Sequence, residues 1–252
     1  MSKIKKSRFD KFYTKPEIVD ICLDNIDISS YHTIIEPAAG NGSFSLKIKG
    51  CISFDIQPDH DSIIKQDYLL WSPFNIDRPV LVIGNPPFGN NSSLAFKFIN
   101  HSVFADTIAF ILPRSFKKPS FQDRIPLNFH LRSSIDLPEN SFLLNDKDYH
   151  VNCVFQIWDR KNYLREKSKK LKPISFKFVK KDENPDISIR RVGVNAGKIF
   201  FDIDKSPSSH YFIKADNVSD FVHKFNKIKF MNNTAGCNSI SKQEIIKGID
   251  FS

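Results

Sequence analysis

The residues most specific to one chemistry in this 252-residue chain are Asn85-Pro86-Pro87-Phe88. Two consecutive prolines fix φ twice and hold the preceding Asn extended. The loop is therefore stiff, and it presents a side-chain amide, a backbone carbonyl and an aromatic ring in a fixed relation. Those groups suit a planar ring carrying an exocyclic amine, with two acceptors for its N–H bonds and a face for stacking. Such an amine is a poor nucleophile because its lone pair is delocalised into the ring. Acceptance of its hydrogens by the Asn85 oxygen and the Pro86 carbonyl favours a pyramidal nitrogen and stabilises the positive charge that develops there. Phe88 would hold the plane of the ring.

A second constellation lies upstream. Glu36-Pro37-Ala38-Ala39-Gly40-Asn41-Gly42 follows a predicted strand, and its two glycines permit a tight turn and close approach of a ligand. Positions 43 to 45 are Ser-Phe-Ser, so the third glycine of a dinucleotide fingerprint is missing, and no lysine follows as in a P-loop. A dinucleotide or a triphosphate is disfavoured. Asp55 ends the next predicted strand, nineteen residues after Glu36, where a carboxylate accepts from ribose hydroxyls. Asp67 lies twelve residues further and could accept from an adenine amine. Each acid alone also reads as a surface or capping residue; their order, ending in the Asn85 loop, favours a ligand site. The seven histidines show no metal-ligand spacing and the four cysteines form no CxxC, so no metal site is expected; no cysteine follows a proline, which sets aside covalent cytosine C5 chemistry.

These residues need strands to carry them. Strands are predicted over 33–36, 51–56, 80–85, 107–112, 134–137 and 151–158, with helices over 16–25 and 92–104. Thr14 reads as the N-cap of the first helix, with Pro16 in its first turn. Near-continuous apolar strands such as Val80-Leu81-Val82-Ile83 imply a mostly parallel sheet covered on both faces. The 151–158 run follows its predecessor closely enough to be an antiparallel partner. Further short strands are predicted over 174–179, 187–192, 199–203 and 210–213, with a helix near 218–225. The domain boundaries expected are 1–160 for a catalytic domain, 161–172 for a basic linker and 173–252 for a small β-rich region.

Composition narrows the partners. The formal net charge is +9, and residues 160 to 191 hold 12 Lys or Arg against 4 Asp or Glu. The first sixteen residues add six basic groups against one acidic. A localised basic surface suits a phosphate backbone, although a Lys-, Asn-, Ile- and Phe-rich chain can also reflect gene base composition. Lys161, Arg165, Lys167, Lys169, Lys170 and Lys172 are the connector residues expected to meet nucleic acid. The sequence supports neither a transmembrane span nor a secretory signal, and four scattered cysteines fit reduced thiols, so a cytoplasmic location is expected.

With these motifs in this order, residues 12 to 158 resemble the class I S-adenosylmethionine-dependent methyltransferases. Within them, the chain looks most like the N6-adenine DNA methyltransferases of restriction-modification systems and bacteriophages, in the TaqI-like motif order. The resemblance rests on Phe12-Tyr13-Thr14-Lys15-Pro16, Ile35-Glu36-Pro37-Ala38-Ala39-Gly40-Asn41-Gly42, Asp55-Ile56-Gln57-Pro58, Asp67-Tyr68-Leu69-Leu70-Trp71 and Asn85-Pro86-Pro87-Phe88. It implies an α/β, Rossmann-like fold with a seven-stranded, mostly parallel sheet containing one antiparallel strand, plus a small β-rich C-terminal appendage. It implies S-adenosyl-L-methionine as cofactor. Tyr13, Thr14 and Pro16 would line its methionine end, and Glu36, Ala38, Gly40 and Gly42 its methionine and sugar. Asp55 and Ile56 would hold the ribose, and Asp67 and Tyr68 the adenine. Phe142 is the family-like partner for the second face of a flipped base, though it also reads as core.

The activity implied is methyl transfer to the N6 amine of adenine, with DNA preferred over RNA as partner. N-methylation of RNA adenine or guanine, of a protein glutamine, or a non-catalytic nucleic-acid-binding module are the alternatives. Only about 90 residues follow Trp158, against the large target-recognition domain usual in the family. Arg190, Arg191 and Lys198 are the nucleic-acid candidates there, the two arginines reading equally as solvated strand ends. Nothing in the sequence identifies a restriction endonuclease partner.

Overall fold

A computed structural model describes residues 12–231, 233–234 and 236–251. Of the basic N-terminal residues only Lys15 falls within that range; the others lie outside the described residues. The chain divides into two compact units, Met1–Lys167 and Ser168–Ser252.

The first unit runs β1 (Tyr13–Thr14), α1 (Pro16–Leu23), β2 (Thr33–Glu36), β3 (Ile52–Asp55), β4 (Ile64–Lys65), β5 (Val80–Gly84), α2 (Ser93–His101) and β6 (Thr107–Pro113). It continues through α3 (Pro119–Gln122), β7 (Phe129–Asp136), β8 (Phe142–Leu144), β9 (Lys147–Tyr149) and β10 (Cys153–Arg160). Seven strands form one sheet in the order β4-β3-β2-β5-β6-β10-β7. Strands β2 to β6 pair in parallel, whereas β10 is antiparallel to both β6 and β7. A mostly parallel seven-stranded sheet with an antiparallel strand inserted next to the edge is the Rossmann-like class I methyltransferase fold.

The period-2 rule sorts the strand residues into two layers. Ile34, Leu81, Ile83, Ala109, Ile111, Phe155 and Ile157 face Ile18, Val19 and Cys22 of α1. The intervening Ile35, Val82, Ile108, Phe110, Leu112 and Val154 face Ala95, Phe96, Phe98 and Ile99 of α2. Burying each such side chain stabilises the fold by about 1.5–3 kcal/mol, which makes strand register hard to shift. The edge strand β7 starts five residues before its predicted start. Its Phe-His-Leu-Arg-Ser-Ser-Ile-Asp sequence is only partly buried and lacks the unbroken apolar signal of the central strands.

The first helix is capped differently from expectation. Lys15 occupies the N-cap without a side-chain cap, because Thr14 is already paired in β1 opposite Phe142 of β8. β1, β8 and β9 form a separate three-stranded sheet that the sequence did not suggest.

The second unit contains β11 (Phe176–Val179), β12 (Ile187–Arg190), β13 (Ile199–Phe200), β14 (His210–Ala215), α4 (Val218–Phe225) and α5 (Lys242–Asp250). Its antiparallel sheet has the order β11-β14-β12-β13. Phe176, Ile187, Ile189 and Ile213 pack on Phe221 and Phe225 of α4 and on Ile245, Ile246 and Ile249 of α5. Helix α5 went unpredicted although its signal is legible: Ser241 and Glu244 form a capping box ahead of the apolar residues.

The expected linker is tied down at both ends. Lys161 and Arg165 donate their main-chain N–H groups to Asn128 and Leu127 oxygens at 2.7 and 2.9 Å. Leu171 exchanges two hydrogen bonds with the Gln243 side chain, at 2.8 and 3.0 Å. Among the described residues, no helix is long and apolar enough to cross a membrane, and no group of His, Cys, Asp or Glu could hold a metal. Cys22 and Cys153 are buried, Cys51 is half-buried and Cys237 is exposed, all as free thiols.

Candidate active site

The chain leaves β2 toward β3 and β4, then returns to place β5 on the other side of β2. That reversal opens a crevice at the carboxyl ends of β2 and β5, where open α/β sheets bind ligands. Glu36 closes β2, Asp55 closes β3 and Asn85 follows β5, so the structure brings all three to one edge.

Glu36 is 2% exposed, and its Oε2 accepts the Ser45 N–H at 2.8 Å. Burial pushes its carboxyl up to about 8, despite hydrogen bonds from Ser45 and the Phe44 main chain that oppose the shift; nearby Asp55 adds to the rise. Gly84 makes room for this side chain. A Cβ there would lie 3.2 Å from Glu36 Cγ, on a backbone with φ of +145°. The sequence pattern did not single out Gly84, because its reason is a neighbour 48 residues away.

The glycine turn is held by the second acid. Asp55 accepts the Gly40 N–H at 2.8 Å through Oδ2 and the Gln57 N–H at 2.7 Å through Oδ1. Each oxygen keeps a lone pair, so Asp55 can anchor the turn and still accept from a diol. Gly40 has a φ of +56°, and a Cβ would meet the Tyr13 ring at 3.2 Å. Tyr13 in turn donates its hydroxyl to Asp59, which also raises the phenol's pKa after the larger effect of burial. The Asp59 N–H donates to Gly40 O at 2.9 Å, closing a ring of interactions around the turn. Asp59 was missed; its signal was a second acid in the turn that follows Asp55.

Asn85 is half-buried, and its Nδ2 donates to Thr14 Oγ1 at 3.2 Å. Thr14 is 5% exposed and its carbonyl also accepts from Ser43 Oγ at 3.1 Å. With its nitrogen engaged by Thr14, the Asn85 amide turns Oδ1 the other way, as an acceptor. Pro86 is buried and Phe88 is half-buried against the α1-side core. The loop then closes on α2, where the Phe88 carbonyl accepts from Leu94 and Ala95 at 3.1 and 3.3 Å.

Other predicted residues lie elsewhere or have different partners. Tyr68 is 1% exposed, with its hydroxyl 2.8 Å from Ser102 Oγ, so it is core and offers no face to a ligand. Asp67 is half-buried and caps the following turn through the Leu69 N–H at 2.9 Å, which leaves its second oxygen for a ligand. Ile56 is 47% exposed beyond Asp55, Ala38 is half-buried, Gly42 is buried in the turn and Pro16 is exposed at the start of α1. Phe142, at 2% exposure, is packed in the α1-side core.

Arg165 is also structural. Its guanidinium donates to the Gln122, Ile125 and Phe129 carbonyls at 2.5, 2.8 and 2.9 Å. Lys161, Lys167, Lys169, Lys170 and Lys172 are exposed. In the second unit Arg190 donates to Val192 O at 2.8 Å and Ser209 Oγ at 3.2 Å. Arg191 holds Ser208 O through two nitrogens at 3.0 and 2.7 Å, and exposed Lys198 lies 5.6 Å from the Phe200 ring centroid.

No protein-family model and no curated protein sequence matches the chain. Among solved structures, it is similar to a candidate RNA methyltransferase from Pyrococcus horikoshii, with 16% identity, a TM-score of 0.43, and coverage of 57% of this chain and 82% of that one. It is similar to the modification subunit of a candidate type I restriction enzyme from Vibrio vulnificus, with 14% identity, a TM-score of 0.46, and coverage of 93% of this chain and 56% of that one. A dimethyladenosine transferase from Plasmodium falciparum shares 16% identity at a TM-score of 0.46, over 60% of this chain and 64% of that one. The chain thus spans less than two thirds of the latter two. Its fold is assigned by strand order and register, independently of these distant likenesses.

Proposed function

We propose that the chain is an S-adenosylmethionine-dependent methyltransferase acting on the N6 amine of adenine in nucleic acid, DNA first. The observation that carries this reading is the Asn85 amide beside the β2–β5 crevice, its nitrogen engaged by Thr14 and its oxygen left to accept. The residues present fit the cofactor: a glycine turn whose Cβ space meets an aromatic ring, a buried acid beneath it, and an anchoring acid with spare lone pairs.

When bound, S-adenosylmethionine supplies a methyl group on a positively charged sulfur. Asp55 would hold its ribose hydroxyls, Asp67 its adenine amine, and Tyr13 with Glu36 its methionine end. Asn85 Oδ1 and the Pro86 carbonyl accept the two hydrogens of the target amine and stabilise the charge that develops on it. Phe88 fixes the base plane, so the rest is orientation. No strong base is required before attack, since the alkylated amine loses its proton readily. A base inside a duplex must first be extruded, at a cost of a few kcal/mol.

The test is transfer of a labelled methyl group to DNA and RNA oligonucleotides of matched sequence, and to a glutamine peptide. Labelled N6-methyladenine is expected, with kcat lowered about 100- to 1,000-fold in Asn85→Ala while cofactor affinity holds. Methylation of RNA or peptide alone would overturn the DNA assignment. No transfer to any of them would overturn the methyltransferase reading.

A further inference from the structure

The second unit has a groove of about 800 Å³ at the end of its sheet where β11 and β12 finish and β14 begins. Lys180, Lys181, Arg191 and Lys242 line it together with Phe178 and Tyr211, against a single carboxylate, Asp182. The two rings meet edge to face, with centroids 5.6 Å apart. Lys242 Nζ lies 4.6 Å from the Phe178 centroid and 5.7 Å from that of Tyr211, and Arg191 Cζ lies 5.7 Å from Tyr211.

These cations are largely positioned in advance. Ser208 O fixes Arg191, Asp204 pairs with Lys181 at 2.5 Å, and the rings hold Lys242. Less side-chain entropy remains to be lost when an anion arrives. The surrounding unit carries 16 Lys and Arg against 9 Asp and Glu, so its long-range field has the same sign as the groove.

We propose that this groove binds single-stranded nucleic acid, with backbone phosphates on Lys180 and Lys242 and an unpaired base against the Phe178–Tyr211 wall. With Lys181 paired to Asp204, the cations Lys180, Arg191 and Lys242 still outnumber the lining carboxylate Asp182 and select a polyanion, and the aromatic wall selects one with flat, apolar rings over an acidic peptide. A duplex keeps its bases stacked inside and cannot present them to that wall. The inference deepens the nucleic-acid reading above; binding is measured without cofactor, so it can fail while methyl transfer stands, or hold while methyl transfer fails.

The experiment is fluorescence anisotropy of a labelled oligothymidine and of a duplex of equal length, titrated with the full chain over a range of salt. The Lys180→Glu/Lys242→Glu variant should bind the single strand at least tenfold more weakly. Its log K against log salt slope should be shallower by about 1.4, roughly 0.7 for each phosphate no longer neutralised. Tyr211→Ala should weaken single-strand binding several-fold more than duplex binding. Thermal melting controls for folding, and Lys180→Ala/Lys242→Ala replaces the charge reversal if that variant unfolds. Unchanged affinity and slope in a folded variant overturn the proposal. So does equal competition by a polyglutamate peptide, which would make the partner an acidic protein segment.

Discussion

The crevice of the first unit and the groove of the second hold charge in opposite ways. In the crevice the titratable groups are acids, Glu36 buried and Asp55 half-buried, tied to main-chain N–H groups of Gly40, Ser45 and Gln57. In the groove they are bases at the surface, steadied by rings and carbonyls. The net charges follow, about balanced at +2 in the first unit and +7 in the smaller second one. A buried carboxylate bears a desolvation cost and acts over hydrogen-bond range, whereas surface cations act across a Debye length of about 8 Å and are screened by salt. Changes in the first region should therefore be large and insensitive to salt; changes in the second should be graded and sensitive to it.

The largest effect expected on stability belongs to Glu36. Its folded pKa of about 8 exceeds the ordinary value of 4.5, so the folded chain retains a proton that the unfolded chain releases. Stability from this group is full below pH 4.5 and is lost as pH rises toward 8, on the order of a few kcal/mol. Melting curves across that range should show the decline in the native chain and lose it in Glu36→Gln. An identical slope in both would mean that the carboxyl is not held neutral.

Asp55→Ala removes an anchor of the glycine turn and the predicted ribose acceptor together. Calorimetry should show cofactor affinity down about 100-fold at low and high salt alike, with oligonucleotide binding unchanged. A strong salt dependence of that loss would blur the contrast between the two regions. Thr14→Val should be milder, lowering kcat about tenfold while cofactor KM holds, because it frees the Asn85 amide to rotate without deleting it. Thr14→Ser should restore the rate. Smallest is the connector: replacing Lys167, Lys169, Lys170 and Lys172 by Gln should weaken nucleic-acid binding a few-fold and flatten its salt dependence. An unaltered slope would make these lysines a solvated face only.

Strands β2, β3 and β5 could be read because each is a largely apolar run that leads into a candidate site residue, and Glu36, Asp55 and Asn85 inherit their place from those ends. Phe142, Tyr68 and Arg165 have surroundings that the local pattern does not show, for a common reason. Each has a residue type suited to touching a ligand, yet burial of a ring or satisfaction of a guanidinium by carbonyls depends on which segments pack over it. Local pattern carries no information about that.

By itself, the amino-acid sequence determined the stiff Asn85-Pro86-Pro87-Phe88 loop, the glycine turn, the alternation that builds a two-faced sheet, and the excess of basic residues. Proline geometry, glycine freedom and side-chain period act within a few residues, so they are legible locally. Only the tertiary structure decided which way the Asn85 amide points, why Gly84 must lack a side chain, and how Lys180, Lys242, Phe178 and Tyr211 come to share a groove. Those outcomes depend on residues 31 to 71 positions apart in the chain, which packing alone brings within reach of one another.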